Sequence, residues 1–377
     1  MSLERINEIK AEMARTQKNK ATAAHLALLK ARLAKLTREL IEPQKSEKKK
    51  GSFFEVKKSG IARIGFIGFP SVGKSTLMNQ LTNAKSVVAE YEFTTLRAVP
   101  GIMEMHQTKI QVLDLPGIIK GAALGSGRGK QVLSVAKTCN VIVLVLDSTK
   151  SLVGLSTIKE ELEAVGIRLN KKKPNIKFTV TDRGGINLIS SIKVNELIIR
   201  DVLKEYRINS CEIIVEKHYS GTQDEIETEF IDDLIDTVEL YHNQMSIVYV
   251  PCVILLNKVD RISKEELEVM CRLHNSFPIS SFHGWGIDIL KDKLWDELNL
   301  IRVFPKPKGQ EIDEPVVLKR DSNVIDFCDS IHKNLKDSFG YARIWGTSVK
   351  HQAQRVGREH VLEDGDIIQI VKQTPQQ

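Results

Sequence analysis

The sequence predicts an α/β protein built on a doubly wound, mostly parallel sheet, and three observations predict it. Short apolar runs typical of buried parallel strands recur along the chain: "ARIGFIG", "KIQVLDL", "VIVLVLD" and "PCVILLN". Stretches with helical spacing, such as "TLMNQLTN" and "IDILKDKLWDEL", alternate with these runs. A glycine-rich turn joins the first strand to the first helix. Together these features indicate an open sheet with helices on both faces.

Composition bounds the remaining choices. The 377 residues suffice for two or three domains, and 42% apolar residues can fill their cores. No apolar run approaches the roughly 20 residues that cross a bilayer, and the N-terminus has no apolar signal region. We therefore expect a cytoplasmic protein without membrane contact. The five cysteines form no CxxC pair, which argues against disulfides and an all-protein zinc site. The net charge of +7 permits contact with nucleic acid.

Residues 1–46 are predicted to form a basic helical hairpin. The polar stretch "TQKNKAT" divides the helical pattern in two, and Pro43 with "KSEKKKGS" marks a linker. The apolar stripe of the second helix recurs at four, three and four residues and consists of Leu29, Leu33, Leu36 and Leu40.

The doubly wound sheet with its helices is assigned to residues 60–300. About a hundred residues separate Asp147 from Pro251, more than a single crossover needs. We therefore predict an inserted α+β subdomain at about residues 166–222.

The C-terminal residues 303–377 are predicted to form a separate β-grasp domain. "IRVFPKPKGQ", with its two prolines, is interpreted as the linker that precedes it. A strand "PVVLKR", a helix near "NVIDFCDSIHKNL", and the strands "ARIWG" and "DIIQIVK" follow. Asp321 or Ser322 is the expected helix cap.

The glycine-rich turn "GFPSVGKS", Gly68 to Ser75, fits the pattern GxxxxGK[ST] in the strand–turn–helix context that the pattern requires. Backbone N–H groups of such a loop cradle phosphates at the helix N-terminus. Lys74 would neutralise the β and γ phosphates of a nucleotide, and Ser75 would hold Mg²⁺.

The stretch "NKVD", Asn257 to Asp260, discriminates between bases. A carboxylate at Asp260 can accept both the N1–H and the N2–H of guanine, whereas adenine offers no matching pair of donors. Asn257 would bind the base edge and brace the loops, and the Lys258 stem would lie across the ring. "ISS", Ile279 to Ser281, follows where backbone N–H groups could reach guanine O6.

Two further stretches complete the predicted site. "DLPG" ends an apolar strand, so that Asp114 would bind Mg²⁺ through water and the Gly117 N–H would contact the γ-phosphate. "EFTTL", Glu92 to Leu96, lies between the first helix and the next strand, where a threonine would complete the Mg²⁺ shell.

Together these residues resemble the Obg-like GTPases and, more narrowly, the developmentally regulated GTP-binding protein family. The resemblance covers nearly the whole chain and is carried by "GFPSVGKST", "YEFTTL", "LDLPGII", "GIRLNKKKPNI" and the C-terminal "WGTSVKH". It implies an N-terminal helical hairpin, a P-loop GTPase domain with an inserted subdomain, and a C-terminal TGS domain of β-grasp type. Some details lean toward the second of the two eukaryotic paralogues.

By position, the resemblance assigns Lys74, Thr95 and Gly117 to catalysis, and Ser75, Thr95 and Asp114 to the metal. The residues that it assigns to the nucleotide are Gly68, Phe69, Pro70, Ser71, Val72, Gly73, Lys74, Ser75, Thr76, Phe93, Thr94, Thr95, Leu96, Arg97, Asp114, Leu115, Pro116, Gly117, Asn257, Lys258, Val259, Asp260, Ser280, Ser281 and Phe282. It also implies GTP or GDP as ligand, a cytoplasmic setting, association with ribosomes or RNA, and a zinc-finger regulatory partner (DFRP type) for a chain that is itself a monomer. Lys120 departs from the family, where glutamate is common.

Ile118 follows Gly117, where well-known GTPases carry the glutamine that orients the attacking water. We therefore expect slow intrinsic GTP hydrolysis, accelerated by something added in trans. Potassium-stimulated GTPases use a P-loop asparagine, and the corresponding position is Ser71, which leaves potassium dependence open. Arg128 is a candidate arginine finger, although a solvated loop arginine is the more common case.

Two alternatives to a regulatory GTPase remain. A metabolic P-loop enzyme that uses ATP is disfavoured by "NKVD". A scaffold that binds GTP for stability, with negligible turnover, uses the same binding residues and is compatible with Ile118.

Overall fold

The computed structural model describes residues 2–17, 20–41, 60–82, 100–115, 132, 134–150, 152–216, 219, 221–242 and 247–372. They divide into two compact units, one within Met1–Val56, Gly117–Thr138 and Leu152–Val250, and the other within Lys57–Pro116, Cys139–Ser151 and Pro251–Gln377. Among the described helices, none has the length and apolar character needed to span a bilayer.

The elements before Pro251 are, in chain order, α1 (Ser2–Arg15), α2 (Lys20–Ile41), β1 (Ala62–Ile67), α3 (Lys74–Leu81), β2 (Pro100–Met105), β3 (Thr108–Asp114), β4 (Val141–Asp147), α4 (Val153–Ala164), β5 (Ile167–Leu169), β6 (Ile176–Val180), β7 (Ile186–Ile189), α5 (Glu196–Glu205), β8 (Cys211–Val215), α6 (Gln223–His242) and β9 (Val248–Val250). Those after it are β10 (Cys252–Asn257), a 3₁₀ turn (Val259–Arg261), α7 (Lys264–Met270), β11 (Ser276–Pro278), α8 (Ile287–Leu298), β12 (Leu300–Pro305), β13 (Val316–Lys319), α9 (Val324–Ile331), α10 (Lys333–Asp337), β14 (Phe339–Trp345), β15 (Gln354–Val356) and β16 (Ile367–Lys372).

A six-stranded sheet with the order β11-β10-β4-β1-β3-β2 forms the core of the second unit. Only β2 is antiparallel to its neighbour; the other pairs are parallel, as the apolar runs predict. Buried side chains of α3 and α8, such as Leu77 and Leu290, pack in one cluster with those of the strands, such as Ile64. Because parallel strands end at the same edge, Asp114, Asp147 and Asn257 come to lie along one side of the sheet.

A second sheet in the same unit has the order β13-β12-β16-β14-β15, with α9 packed against one face. The interpretation of "IRVFPKPKGQ" as a linker is wrong for its first half, because β12 lies inside this sheet between β13 and β16. Ile301 and Val303 are buried in its core, and Pro305 is the last residue of the strand. The cap of α9 is Asn323, in a capping box with Asp326, and not Asp321 or Ser322.

In the other unit, α1 and α2 form a helical hairpin, as predicted, and α2 packs against α5 and α6. Ala27 and Ala31 of α2 enter the core that α5 and α6 share with the three-stranded sheet β6-β8-β7. Of the predicted leucine stripe, Leu29 is buried, Leu33 and Leu36 are half-buried, and the Leu40 side chain lies outside the described set. The predicted domain limits stay predictions.

Several basic side chains of α2 point to carboxylates of the same unit. Lys30 Nζ lies 2.7 Å from Asp232 Oδ1, and Arg38 contacts Glu239 at 3.1 Å. Arg32 contacts Glu205 at 2.9 Å, and the backbone oxygen of Glu205 accepts from Lys35. Much of the positive charge of this helix is therefore paired within the molecule.

Candidate functional site

The phosphate loop is shaped by Gly73, which precedes α3 with φ 95°, a left-handed conformation that favours glycine. A Cβ at this position would lie 2.4 Å from Asn257 Nδ2, so a larger residue would clash with the Asn257 side chain. Lys74 is buried, and its ammonium donates to the backbone oxygens of Gly68 (2.9 Å) and Phe69 (3.0 Å). Burial lowers the pKa of Lys74, and Asp114 opposes that shift.

The two predicted metal ligands inside the described chain meet. Ser75 Oγ donates to Asp114 Oδ2 at 3.0 Å. The other carboxylate oxygen, Asp114 Oδ1, is buried and has no hydrogen-bond partner among the described residues. A hydroxyl beside an unsatisfied carboxylate oxygen is the hard oxygen set that Mg²⁺ prefers, with water and phosphate oxygens completing its shell. The residues present therefore fit the ion.

Asn257 ties three parts of the site together. Its Nδ2 donates to the Val72 backbone oxygen (2.7 Å) and to Ser281 Oγ (2.9 Å), and its Oδ1 accepts from the Ser281 N–H (2.9 Å). The side chain is fully buried, and both amide hydrogens are used by these bonds. The geometry supports the predicted bracing role, whereas the predicted contact with the base edge stays a prediction.

The backbone conformation and the ammonium of Lys258 are both well defined. Its backbone is left-handed, with φ 65°, and its ammonium donates to the Ser71 backbone oxygen (2.8 Å) and Asp147 Oδ2 (2.7 Å). The other oxygen of Asp147 accepts from the N–H and the hydroxyl of Thr149. Burial acts to raise the pKa of Asp147, but the hydrogen bonds from Lys258 and Thr149 outweigh it and hold that pKa below its usual range.

Asp260 is oriented by Ser280, whose hydroxyl donates to Asp260 Oδ1 at 2.6 Å. This bond lowers the pKa of Asp260, so the group is a carboxylate at neutral pH and can accept two hydrogen bonds. Ser280 is itself fully buried and forms a two-bond backbone bridge with Trp285, which stabilises the loop. The backbone N–H of Val259 donates to the Ile279 oxygen, which joins the loops after β10 and β11.

A cavity of about 360 Å³ connects these groups. Its walls come from the phosphate loop, the start of α3 and the loops after β10 and β11, and consist of Ser71, Gly73, Lys74, Ser75, Thr76, Lys258, Asp260, Arg261, Ser281 and Phe282. Phe282 is 78% exposed at its rim, with its ring edge-on to His283, which in turn stacks on Trp285. Lysine and serine at one end and a carboxylate at the other suit a ligand with phosphates and a base bearing N–H donors.

The remaining predicted site residues divide into two groups. Phe69, Val72, Val259 and Leu115 support the loops through backbone or packing, and Pro70 lies exposed in the phosphate loop; the Leu115 N–H, for example, donates to Phe66. Those that lie outside the described residues are Phe93, Thr94, Thr95, Leu96, Arg97, Pro116 and Gly117, together with Ile118, Lys120 and Arg128.

Sequence reasoning missed Asp147, which holds Lys258, and Thr149, which holds Asp147. The signal was present, because Asp147 ends the apolar run "VIVLVLD" and pairs in register with Asn257 at the end of the neighbouring strand. A polar residue at the carboxyl end of a parallel strand is a candidate for the site in folds of this type.

Three family models match consecutive parts of the chain. The family described as "50S ribosome-binding GTPase" matches residues 63–182, "C-terminal region of MMR_HSR1 domain" matches 183–300, and "TGS domain" matches 301–372. Among solved structures, that of the Schizosaccharomyces pombe YchF GTPase aligns with a TM-score of 0.50 and 14% identity, over 84% of this chain and 99% of that one. At this identity the likeness shows the fold alone.

Full-length relatives are much more similar. Developmentally-regulated GTP-binding protein 1 of Xenopus laevis is 52% identical, over 98% of this chain and 99% of its own. Ribosome-interacting GTPase 1 of Saccharomyces cerevisiae is 48% identical, and Developmentally-regulated GTP-binding protein 2 of Homo sapiens is 46% identical, each over 98% of this chain and 99% of the relative. These identities run opposite to the expected leaning toward the second paralogue. The chain is a GTP-binding protein with a P-loop GTPase domain and a TGS domain, and it belongs to the developmentally regulated GTP-binding protein family.

Proposed function

We propose that this protein binds GTP and GDP with Mg²⁺ in the cavity described above, hydrolyses GTP slowly to GDP and phosphate, and acts as a regulatory switch linked to ribosomes. The observation that carries the proposal is the Ser280–Asp260 hydrogen bond of 2.6 Å, in the same cavity as Lys74 and Ser75. It keeps a carboxylate ionised and aimed where guanine, and not adenine, presents two N–H donors.

The roles of the chain in hydrolysis follow from its charges. Lys74 exchanges its contacts with Gly68 and Phe69 for phosphate oxygens, to which its ammonium can donate more strongly. Ser75 and Asp114 would hold the metal, with Thr95 as the third ligand that the resemblance assigns. When bound, the magnesium ion supplies charge neutralisation at the β and γ phosphates. The resemblance assigns Gly117 to the γ-phosphate, to which its N–H would donate.

Slow turnover follows from the residue after Gly117. Ile118 can neither donate nor accept a hydrogen bond through its side chain, so it cannot orient a water molecule as glutamine does. The water must be oriented by backbone, by another side chain, by a potassium ion or by a partner. A low intrinsic rate with activation in trans is the expected behaviour.

The link to ribosomes rests on relatives. The yeast relative at 48% identity is named a ribosome-interacting GTPase, and the matching family is described as a ribosome-binding GTPase. A cytoplasmic site of action accords with such a role. The DFRP-type zinc-finger partner is proposed from the family resemblance.

Single-turnover GTP hydrolysis tests the proposal, measured in potassium and in sodium buffers, with and without purified ribosomes. We expect a low rate for the protein alone and a large rise with ribosomes. Competition with unlabelled ATP and GTP against a fluorescent GDP analogue checks the base: GTP should displace it at far lower concentration. Equal displacement by ATP would overturn the guanine assignment.

The second candidate is a scaffold stabilised by GTP with negligible turnover, and Ile118 is the observation that favours it. The same assay separates the two. An absence of hydrolysis in every buffer, with and without ribosomes, together with a higher melting temperature in GTP, would favour the scaffold.

A further inference from the structure

The 280–285 turn, which follows β11, is closed by a pair of backbone hydrogen bonds. The Ser280 N–H donates to the Trp285 oxygen at 3.2 Å, and the Trp285 N–H donates to the Ser280 oxygen at 3.1 Å. Ile279 and Ile287, just outside the turn, are buried in the core of the six-stranded sheet, whereas 55% of Trp285 is exposed. The core therefore fixes the two ends of this segment but receives little of the tryptophan ring.

The backbone of this turn depends on side chains to stay closed. Gly284 and Gly286 flank Trp285 and are both left-handed, with φ of 75° and 77°. Glycine reaches such φ values easily, but it also loses more conformational freedom on folding than any other residue. A turn with two glycines therefore needs contacts beyond its two backbone bonds. The rings of His283 and Trp285 supply one, since they are stacked with centroids 4.9 Å apart and an interplanar angle of 21°.

The closed turn determines the direction of the Ser280 hydroxyl. Ser280 Oγ accepts from the His283 backbone N–H at 3.3 Å and lies 2.6 Å from Asp260 Oδ1. A hydroxyl has one proton to donate, and it can only accept from an N–H that points at its oxygen. Because Ser280 is fully buried, its proton is left for the carboxylate and is not drawn to bulk water. The His283 N–H thus fixes Ser280 as the donor and Asp260 as the acceptor.

We propose that His283 and Trp285 are positioning residues for guanine recognition, an inference that rests on the proposed binding of GTP and GDP and identifies what sets the base preference. Their stacked rings hold the turn closed, and the closed turn orients the Ser280 hydroxyl. The hydroxyl in turn directs Asp260 toward the N1–H and N2–H of guanine, so neither ring needs to touch the base. Without the stack the turn opens at its glycines and the carboxylate loses its fixed orientation.

Phe282 of the same turn has a different role. It lines the cavity and can offer a base only apolar ring surface. Guanine and hypoxanthine have nearly the same faces, but hypoxanthine lacks the 2-amino group and so presents no N2–H to Asp260. A misdirected carboxylate therefore weakens the binding of guanine more than that of hypoxanthine, whereas loss of the Phe282 ring weakens both alike.

Isothermal titration of the full chain with GDP and inosine diphosphate, in the presence of Mg²⁺, tests the proposal. The wild type should bind GDP about tenfold or more tightly than inosine diphosphate, and Trp285→Ala and Trp285→Leu should reduce this ratio to about threefold or less. Trp285→Phe, which keeps a flat ring for His283, should restore the ratio. Phe282→Ala should weaken both ligands and leave the ratio unchanged. Trp345→Ala, the same change at a half-buried tryptophan of the C-terminal sheet, is the matched control and should bind both ligands like the wild type.

A double-mutant cycle with Ser280→Ala separates an effect through Ser280 from a direct effect on the base. Ser280→Ala removes the hydroxyl that the turn orients, so it should lower the ratio by itself. Trp285→Ala should then cause no further loss in that background, because the two residues act in series. Additive losses would overturn the proposal, since they would show that Trp285 reaches the base by another route.

Two further results would overturn the proposal: a wild-type ratio in Trp285→Ala and Trp285→Leu, or an equal loss of the ratio in Trp345→Ala. Melting temperatures identify the variants that fold, and a lower melting temperature with a wild-type ratio would leave Trp285 a structural role only. Failure of the proposed function gives a different result. A wild type that binds GDP no more tightly than ADP would refute guanine recognition itself, whereas a wild type that prefers GDP, beside variants with an unchanged ratio, would refute only the positioning role.

Discussion

The ammonium of Lys258 lies 2.7 Å from Oδ2 of Asp147, and this ion pair joins the loop after β10 to the end of β4. The Asp147 carboxylate is almost fully buried, with 3% of its side chain exposed, and Thr149 occupies its other oxygen. Lys258 is also bound to the Ser71 oxygen in the phosphate loop. The stem of the lysine is therefore fixed along one wall of the cavity before any base arrives.

Replacement of Asp147 by asparagine should accelerate the release of GDP. The charge-assisted bond to Lys258 is lost, which weakens the fixation of the wall by about 1 to 2 kcal/mol and corresponds to roughly tenfold faster dissociation. Stopped-flow fluorescence of a labelled GDP measures the rate. Asp364→Asn, which breaks the ion pair with Arg302 in the C-terminal domain, is the matched control and should leave GDP release unchanged. Equal release rates in all three proteins would contradict the anchoring role.

The same ion pair should make the folding stability of the protein fall at acid pH. The pKa of Asp147 is held below the ordinary value of 3.8, so the unfolded chain takes up the proton first as pH falls. The stabilisation is present above the unfolded pKa and is lost as pH falls through the folded one. The melting temperatures of the wild type and Asp147→Asn should therefore differ at neutral pH and converge below about pH 4. A constant difference down to pH 3 would show that ionisation of Asp147 contributes nothing.

Asp260→Asn should change the preferred base from guanine to xanthine. Asparagine keeps an oxygen that can accept from Ser280 but presents an N–H to the base in place of the second acceptor. Guanine then faces a donor with a donor, and its affinity should fall by about 100-fold or more. Xanthine, which carries a carbonyl where guanine has the amino group, gains a partner. Isothermal titration with GDP and xanthosine diphosphate measures both, and an unchanged preference would place base recognition elsewhere.

Gly73→Ala should abolish nucleotide binding and destabilise the protein by about 2 kcal/mol or more, because it adds a close contact to an unfavourable φ. The new Cβ would lie 2.4 Å from Asn257 Nδ2. Gly309→Ala separates the two effects, since its φ of +76° is also positive and no atom lies within 4 Å. Comparable losses in the two variants, by thermal melting, would mean that backbone conformation alone is responsible.

Arg38→Met should destabilise the helical hairpin unit by about 2 kcal/mol or more, because Glu239 would remain buried beside a neutral side chain. Only 5% of the Glu239 side chain is exposed. Lys204→Met, which removes an exposed i,i+3 pair with Asp201, is the matched control and should have little effect. Urea unfolding monitored by circular dichroism measures the difference. Equal unfolding midpoints for the wild type and Arg38→Met would show that the ion pair with Glu239 does not stabilise the unit.

The predictable parts of this protein are those whose signal is local. A phosphate loop passes from strand to helix through glycines, so the eight residues "GFPSVGKS" indicate both its position and its role. Buried parallel strands are likewise recognisable as apolar runs. The first strand of the C-terminal sheet, β12, was not predicted, because Pro305 and Pro307 are typical of a linker. The residues that make Ile301 and Val303 part of a strand lie in β13 and β16, and β16 is distant in the chain. Asp147 was missed for the same reason, since its partner lies 111 residues away.

Asn257 gives the cavity a further property. Its buried amide donates to the Val72 carbonyl of the phosphate loop at 2.7 Å and to the Ser281 hydroxyl in the loop after β11 at 2.9 Å. Asn257, together with Lys258 bound to the Ser71 oxygen, therefore limits how far the two ends of the cavity can move apart. The pocket selects by length as well as by chemistry, so a guanosine analogue with an extended linkage between base and phosphates would satisfy one end only at the expense of the other.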